Sequence, residues 1–293
     1  MLVALALVWG ASFLFIKVGV RDLAPSTLIM GRLGLAALTL AVVAAVTIGV
    51  RATATELRAN AFWLVVTSLL NTAIPFWLLS WGETRIDSGL ASILQAAVPI
   101  FIAVITVVAF QEERVTGFRL AGVGVGFFGV ALLVGVQPEG KVLGALAVVG
   151  MALCYAIGGL LIRRHLTHVR PLVVALAATA VSTVVVLPAG VAQAPDQLPG
   201  WEAIGSVVAL GLAGTALAYL LFFGLIAGPG AAYASLVTYL VPPLALFYGA
   251  IFLGEHFGAA AFGGLALILG GVALGTGAVG AARARRRVAS QTS

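Results

Sequence analysis

One feature constrains this chain more than any other: apolar runs of about twenty residues, nearly free of charge, recur from end to end between short joints carrying Gly, Pro or Arg. A run of that length spans a hydrocarbon layer of about 30 Å as a helix. Lipid offers the backbone no hydrogen bonds, so each N–H and C=O must be satisfied within its own segment. A transmembrane barrel would instead alternate apolar and polar residues in strands of about ten, and that pattern is absent. Composition closes the soluble alternative. The 293 residues are 62% hydrophobic and 9% charged, too few polar groups to coat the outer faces of packed helices in water.

Breaking the chain at charges, Gly/Pro pairs and turn clusters predicts ten spans: 2–20, 26–50, 61–82, 87–110, 118–137, 142–162, 171–193, 201–227, 231–253 and 259–280. The expected fold is therefore all-α integral membrane. The first run lacks the basic leader of a signal peptide, and Lys17 and Arg21 follow it, so it reads as a retained span. With ten spans, Arg51, Arg58, Arg114, Arg119, Arg163, Arg164, Arg170 and the tail residues Arg283, Arg285, Arg286 and Arg287 fall on one side. Only Arg21, Arg85 and Lys141 fall on the other. Positive charge is retained in the cytoplasm, so both termini are expected there, with the protein in a bacterial inner (plasma) membrane. The net charge of +6 and the basic tail read as a topology anchor, with no nucleic acid implied.

The chain repeats itself. Trp9, Lys17 and Pro25 recur 146 positions later as Tyr155, Arg163 and Pro171; Ser92, Val98, Pro99 and Glu112 recur 143 positions later as Ser235, Val241, Pro242 and Glu255. Each half then holds five spans, and five is odd, so the second copy enters the membrane inverted. The predicted organisation is a first five-helix repeat over 1–140, a second, inverted one over 141–280, and a basic cytoplasmic tail over 281–293. Such repeats mark transporters that bind solute between the halves and alternate access. Gly122-x-x-x-Gly126 and Gly271-x-x-x-Gly275 place small residues on one helix face near the end of each half, suited to close helix packing.

The segment Ser88-Gly-Leu-Ala-Ser-Ile-Leu-Gln-Ala-Ala-Val-Pro-Ile up to Gln111, Glu112 and Glu113 resembles a signature of EamA-type permeases of the drug/metabolite transporter superfamily. So does its partner, from Ala231 through Pro242 to Glu255, and Val8-Trp9-Gly10-Ala11-Ser12-Phe13 resembles the family's first-helix motif. The resemblance implies a ten-helix exporter with a central cavity between the halves. General likeness extends to amino-acid exporters of the YddG type. Glu112 and Glu255 match the family's recurrent acid, for which a helix-end role is expected.

Polar and aromatic residues near mid-span outline the expected site: Trp9, Phe13, Asn71, Pro75, Gln95, Tyr155, Tyr219, Thr238 and Tyr239, with Ser12, Thr72 and Thr215 nearby. Pro99 and Pro242 are the expected gating kinks. A neutral, aromatic chamber favours an amino acid, whose ammonium can lie on aromatic faces. Drugs or other neutral amphiphiles are the alternative. Phosphate esters would need interior cations, and Lys17 and Arg32 are expected to snorkel to the outer surface. Gly124-x-Gly126-x-x-Gly129 lies within an apolar span and reads as packing, not as a dinucleotide loop. His165-x-x-His168 lacks a third ligand, so neither metal nor cofactor is expected. No catalytic constellation supports a membrane enzyme, and no ring of charge a channel. The expected partners are the lipid bilayer and a small-molecule substrate, with a monomer favoured. No Asp or Glu lies at mid-span; the outer-end Glu83 and Asp87 are the only acids close enough to an access path to couple protons, and they read as exposed beside Arg85, so no intramembrane proton site is expected.

Overall fold

A computed structural model of the chain describes residues 1–109, 118–135 and 139–275, and every regular element among them is helical. The basic tail and Glu112 lie outside the described residues. Helix α1 spans Leu2–Asp22, α2 Pro25–Thr47, α3 Val50–Ala59 and α4 Ala61–Glu83. The next run is two helices, α5 at Ser88–Gln95 and α6 at Val98–Ala109, followed by α7 at Phe118–Gly135. The second part of the chain holds α8 at Glu139–His165, α9 at Pro171–Ala192, α10 at Trp201–Ala227, α11 at Ala231–Ala234, α12 at Val237–Leu253 and α13 at Ala259–Gly275.

Among the described residues, seven segments are long and apolar enough to cross a membrane, and three further apolar helices, Leu120–Gly135, Val237–Leu253 and Ala259–Leu274, are shorter than that measure. The described parts of the ten expected runs are largely helical, but 87–110 and 231–253 are each divided into two helices. One shortening has a visible cause: the run 231–253 breaks after Ala234, so α12 starts only at Val237. The joint after α2 also holds an unexpected helix. In α3, Arg51, Thr55 and Arg58 lie among apolar residues, which suits an element lying along an interface rather than through one.

Polar contacts sort the joints into groups. Glu56 pairs with Arg170 at 2.8 Å, and Asn60 meets His168 at 2.9 Å, so the joint around α3 and the joint after α8 share one end. Elsewhere Glu255 accepts from the amide of Ser88 at 2.8 Å, and Lys141 faces Asp87 at 3.7 Å. Ser26 and Thr27 bond to Gln193, at 2.8 Å and 3.1 Å.

The most extensive helix contact joins α7 to α13, followed by those of α4 with α8 and of α2 with α9. The first uses both small-residue stripes. A Cβ on Gly271 would come within 2.6 Å of the carbonyl oxygen of Gly122 and of the amide of Gly126, so only glycine permits this approach. Leu5, Ile16, Ile86, Ile93, Leu94 and Met151 are among the fully buried side chains of the main core, which α1, α5, α8 and α12 share.

Pro99 and Pro242 do not sit alike. Pro99 is the second residue of α6, where a missing N–H costs no helical bond, and the break precedes it at residues 96–97. Pro242 lies within α12 beside Pro243, beyond the break at 235–236. Both runs are broken, but in the register of the repeat the second break lies four residues earlier than the first, so the two prolines hold different places in their helices.

Candidate functional site

Two helices carry a wider π-type turn at their middle: Leu69–Ala73 within α4 and Ala209–Leu217 within α10. In α4 the cause is local. Pro75 has no N–H to offer the carbonyl four residues back, and the amide of Ile74 bonds instead to the carbonyl of Leu69, five residues back. In α10 the hydroxyl of Thr215 donates to the carbonyl of Leu210 at 2.9 Å, again five residues back. Gly211 there brings the backbone against α2, where a Cβ would lie 3.0 Å from the carbonyl oxygen of Arg32.

Arg32 lies beside the π turn of α10 and against Phe76, just beyond the π turn of α4. It is 6% exposed and does not snorkel, in contrast to the expectation from sequence. Its Nε donates to Thr215 Oγ1 at 2.8 Å, and its guanidinium carbon lies 4.1 Å from the ring centre of Phe76. Seven residues from the start of α2, it is about 10 Å deep, farther in than the helix end it was assigned to. No other hydrogen bond engages the guanidinium among the described residues, which leaves most of its five donors free. Tyr155, Tyr219 and Glu83 stand within electrostatic reach of it.

Further polar groups converge here without good partners. The Nδ2 of Asn71 and the hydroxyl of Thr72, both on the π turn of α4, are buried and form no well-aligned hydrogen bond. Asn71 lies against Gly158 of α8, and Thr72 beside Tyr219 of α10. Thr72 has the phenol of Tyr219 within hydrogen-bonding reach, which leaves the Nδ2 of Asn71 as the buried polar atom without a partner at this widened turn, where most buried polar groups are paired.

Comparison with known proteins shows what kind of protein carries this cluster. The sequence profile of the EamA-like transporter family matches residues 1–135 and again 142–276. The chain belongs to the EamA-like transporter family. It is similar to a probable terminal-alkyne amino-acid exporter of Streptantibioticus cattleyicolor, 31% identical over 93% of this chain and 91% of that protein. It is also similar to an uncharacterised transporter of Archaeoglobus fulgidus, 26% identical over 90% of this chain and 93% of the other. A crystal structure at 19% identity matches with TM-score 0.65 over 93% of this chain and 94% of that one, a likeness of fold alone. This is accordingly a multi-pass membrane transporter with a small-molecule substrate.

Within this EamA-like chain, the expected site residues divide. Tyr155 and Tyr219 stand near Arg32, while Asn71 lies against Gly158 of α8 on the turn that Pro75 shapes. Trp9 joins them through a chain of rings: it meets Phe222 at 5.4 Å, Phe222 meets Phe223 at 5.9 Å, and Phe223 meets Tyr219 at 6.1 Å. Phe13 is 3% exposed and belongs to the main core. Gln95, Thr238 and Tyr239 flank the two helix breaks, Gln95 as the last residue of α5 and the other two near the start of α12.

Two grooves, of about 210 and 320 Å³, lie between α1 and α10 and beside α3. Neither is lined by Arg32, Asn71 or the two tyrosines. Tyr155 instead packs against the cluster of Ile29, Leu33, Ala73, Phe76 and Val186. His165 stacks on Trp63 with ring centres 3.6 Å apart, so the H-x-x-H pair is divided between an aromatic face and Asn60. Sequence reasoning missed Arg32 as a site residue. Its signal was present: a cation seven residues inside an apolar helix, beside Gly31 and Gly34.

Proposed function

We propose that this chain exports amino acids with apolar or aromatic side chains, by alternating access at a site between two inverted five-helix halves, 1–140 and 141–280. The observation that carries the substrate class is Arg32. A buried guanidinium whose donors are mostly unspent costs free energy until an anion takes them, and its planar fork matches one carboxylate in bidentate fashion. A single cation suits the carboxylate of an amino acid better than a multiply charged phosphate ester. Trp9, Tyr155, Tyr219, Phe222 and Phe223 supply apolar faces for the side chain. The printed name of the Streptantibioticus relative supports the same class.

The inverted arrangement is supported by two family matches of similar length, by π turns in α4 and α10, and by broken runs at 88–109 and 231–253. Alternating access then moves the solute past Arg32, with the breaks after Gln95 and Ala234 as the points that flex. Placement in a bacterial inner membrane with both termini cytoplasmic follows the distribution of Arg and Lys.

Purified protein in liposomes tests the reading with a panel of labelled apolar amino acids and neutral amphiphilic dyes. Saturable amino-acid flux is expected. Flux of the dyes alone would favour export of neutral amphiphiles, which use the aromatic faces and leave Arg32 unpaired. Cysteines near Arg58 and near Glu255 should label from opposite sides of the membrane; labelling from one side would end the inverted-repeat proposal.

A further inference from the structure

The end of α4 encloses a carboxyl that the site above does not use. Glu83, the last residue of that helix, is 0% exposed, and neither of its carboxyl oxygens has a hydrogen-bond partner. The sequence reading had it in water beside Arg85. Arg85 instead stacks over Trp81, 3.5 Å from the ring centre, and donates to the hydroxyl of Thr84 at 2.7 Å.

The charged groups that face Glu83 come from three directions: Lys17 on α1, Arg32 on α2 and Glu255 after α12. On α8, Lys141 is occupied with Asp87 of the adjoining turn, and Tyr155 lies deeper, beside Arg32. Lys17 does not hydrogen-bond to the carboxyl. Its ammonium donates to the backbone carbonyls of Glu83 and Ile86, each at 2.7 Å. An ionised carboxylate enclosed without donors is costly, whereas a neutral acid gives up far less hydration.

Glu255 provides the contrast. It accepts from the amide and hydroxyl of Ser88 at 2.8 and 2.9 Å and from the amide of Gly89 at 3.2 Å. Its charge is thus employed in holding the start of α5. Of two neighbouring carboxyls, one has three donors and the other none.

The same contacts fasten the turn 84–87 that links α4 to α5. Lys17 holds its carbonyls from one side, and Glu255 holds the following amides from the other. Glu255 belongs to the second half of the chain, while Lys17 and Ser88 belong to the first, so the turn ties the halves together at this end.

We propose that Glu83 is a proton-binding site and that its proton keeps this end of the carrier closed. While the proton is bound, Lys17 stays on the carbonyls. When it leaves to solvent, the carboxylate draws the ammonium off Glu83 and Ile86 carbonyls, water enters, and the turn is freed. That this end faces outward rests on the orientation proposed above; the proton site itself does not.

The test uses purified protein and dicyclohexylcarbodiimide, which modifies protonated carboxyls in apolar surroundings, with peptide mass spectrometry from acidic to alkaline buffer. The expected result is an adduct on Glu83 that declines as the pH rises and is missing from Glu83→Gln. No adduct on Glu83 at any pH, or one that does not change with pH, would overturn the proposal. A second readout uses Ser92→Cys in a Cys154→Ser background, since Ser92 is buried one turn below Ser88. Alkylation by an impermeant maleimide, normalised to the denatured chain at each pH, should quicken about tenfold toward alkaline buffer and stay slow when Glu83→Gln is added, a factor equal to about 1.4 kcal/mol. An equal rise with Glu83→Gln, or none in either protein, would contradict it. Neither readout involves a substrate, so both stand if amino-acid flux is not found.

Discussion

The seam between α7 and α13 and the centre around Arg32 are both buried helix contacts, but they are built from opposite materials. Along the seam, α13 carries no polar side chain, and Gly271 lies against the backbone of Gly122 and Gly126. Around Arg32 the helices widen into π turns, the Nδ2 of Asn71 lacks a partner, and a guanidinium is held by one hydrogen bond and one ring. Dispersion between close backbones rigidifies the first contact and leaves nothing for a solute to bind. The second leaves hydrogen-bonding capacity unspent, which a scaffold has no reason to retain and a binding site does.

Substitutions should therefore separate folding from transport. The largest effect is expected at the seam. Gly271→Val would drive side-chain atoms into backbone that has no room to yield, at a cost of about 3 kcal/mol or more, and folded protein should be lost in size-exclusion chromatography. Its neighbour Gly270 has open space around it, and Gly270→Ala should stay within about 0.5 kcal/mol in a detergent melt. Similar losses at both positions would mean that the seam is not the rigid contact described.

At the centre the expected loss falls on transport. Arg32→Gln should elute as folded protein while lowering kcat/KM for a transported amino acid about a hundredfold, the worth of a charge-assisted pair of about 2.7 kcal/mol. Asn71→Ala and Tyr155→Phe should each cost about tenfold, one ordinary hydrogen bond or somewhat less. Were Arg32→Gln merely to unfold, the buried guanidinium would be structural and the contrast with the seam would fail.

Much of this was legible in the sequence, and the exceptions share a cause. Run length and joint composition predict the helices, because the absence of water inside a bilayer leaves a backbone no other choice. The glycine stripes at 122/126 and 271/275 were readable for the same reason, since small residues at helical spacing have one common use in lipid. Asn71, Tyr155 and Tyr219 were readable as polar groups at mid-span. Arg32 and Glu83 were misplaced because distance from a helix end was taken as depth. A side chain's direction decides its depth as much as its position does, and direction depends on partners far along the chain: Thr215 for Arg32, and Lys17 and Glu255 for the turn after Glu83. The π turn in α4 was implicit in Pro75, whereas nothing as local announced the one in α10.

The central claim is that Arg32 receives the carboxylate of the solute, and tracer counterflow in liposomes tests it most directly. An apolar amino acid is compared with the amine that remains when its carboxylate is removed, in the native protein and in Arg32→Gln. The account predicts saturable exchange of the amino acid by the native protein, little exchange of the amine, and loss of the amino-acid exchange in Arg32→Gln. Equal exchange of amine and amino acid, undiminished by Arg32→Gln, would contradict it.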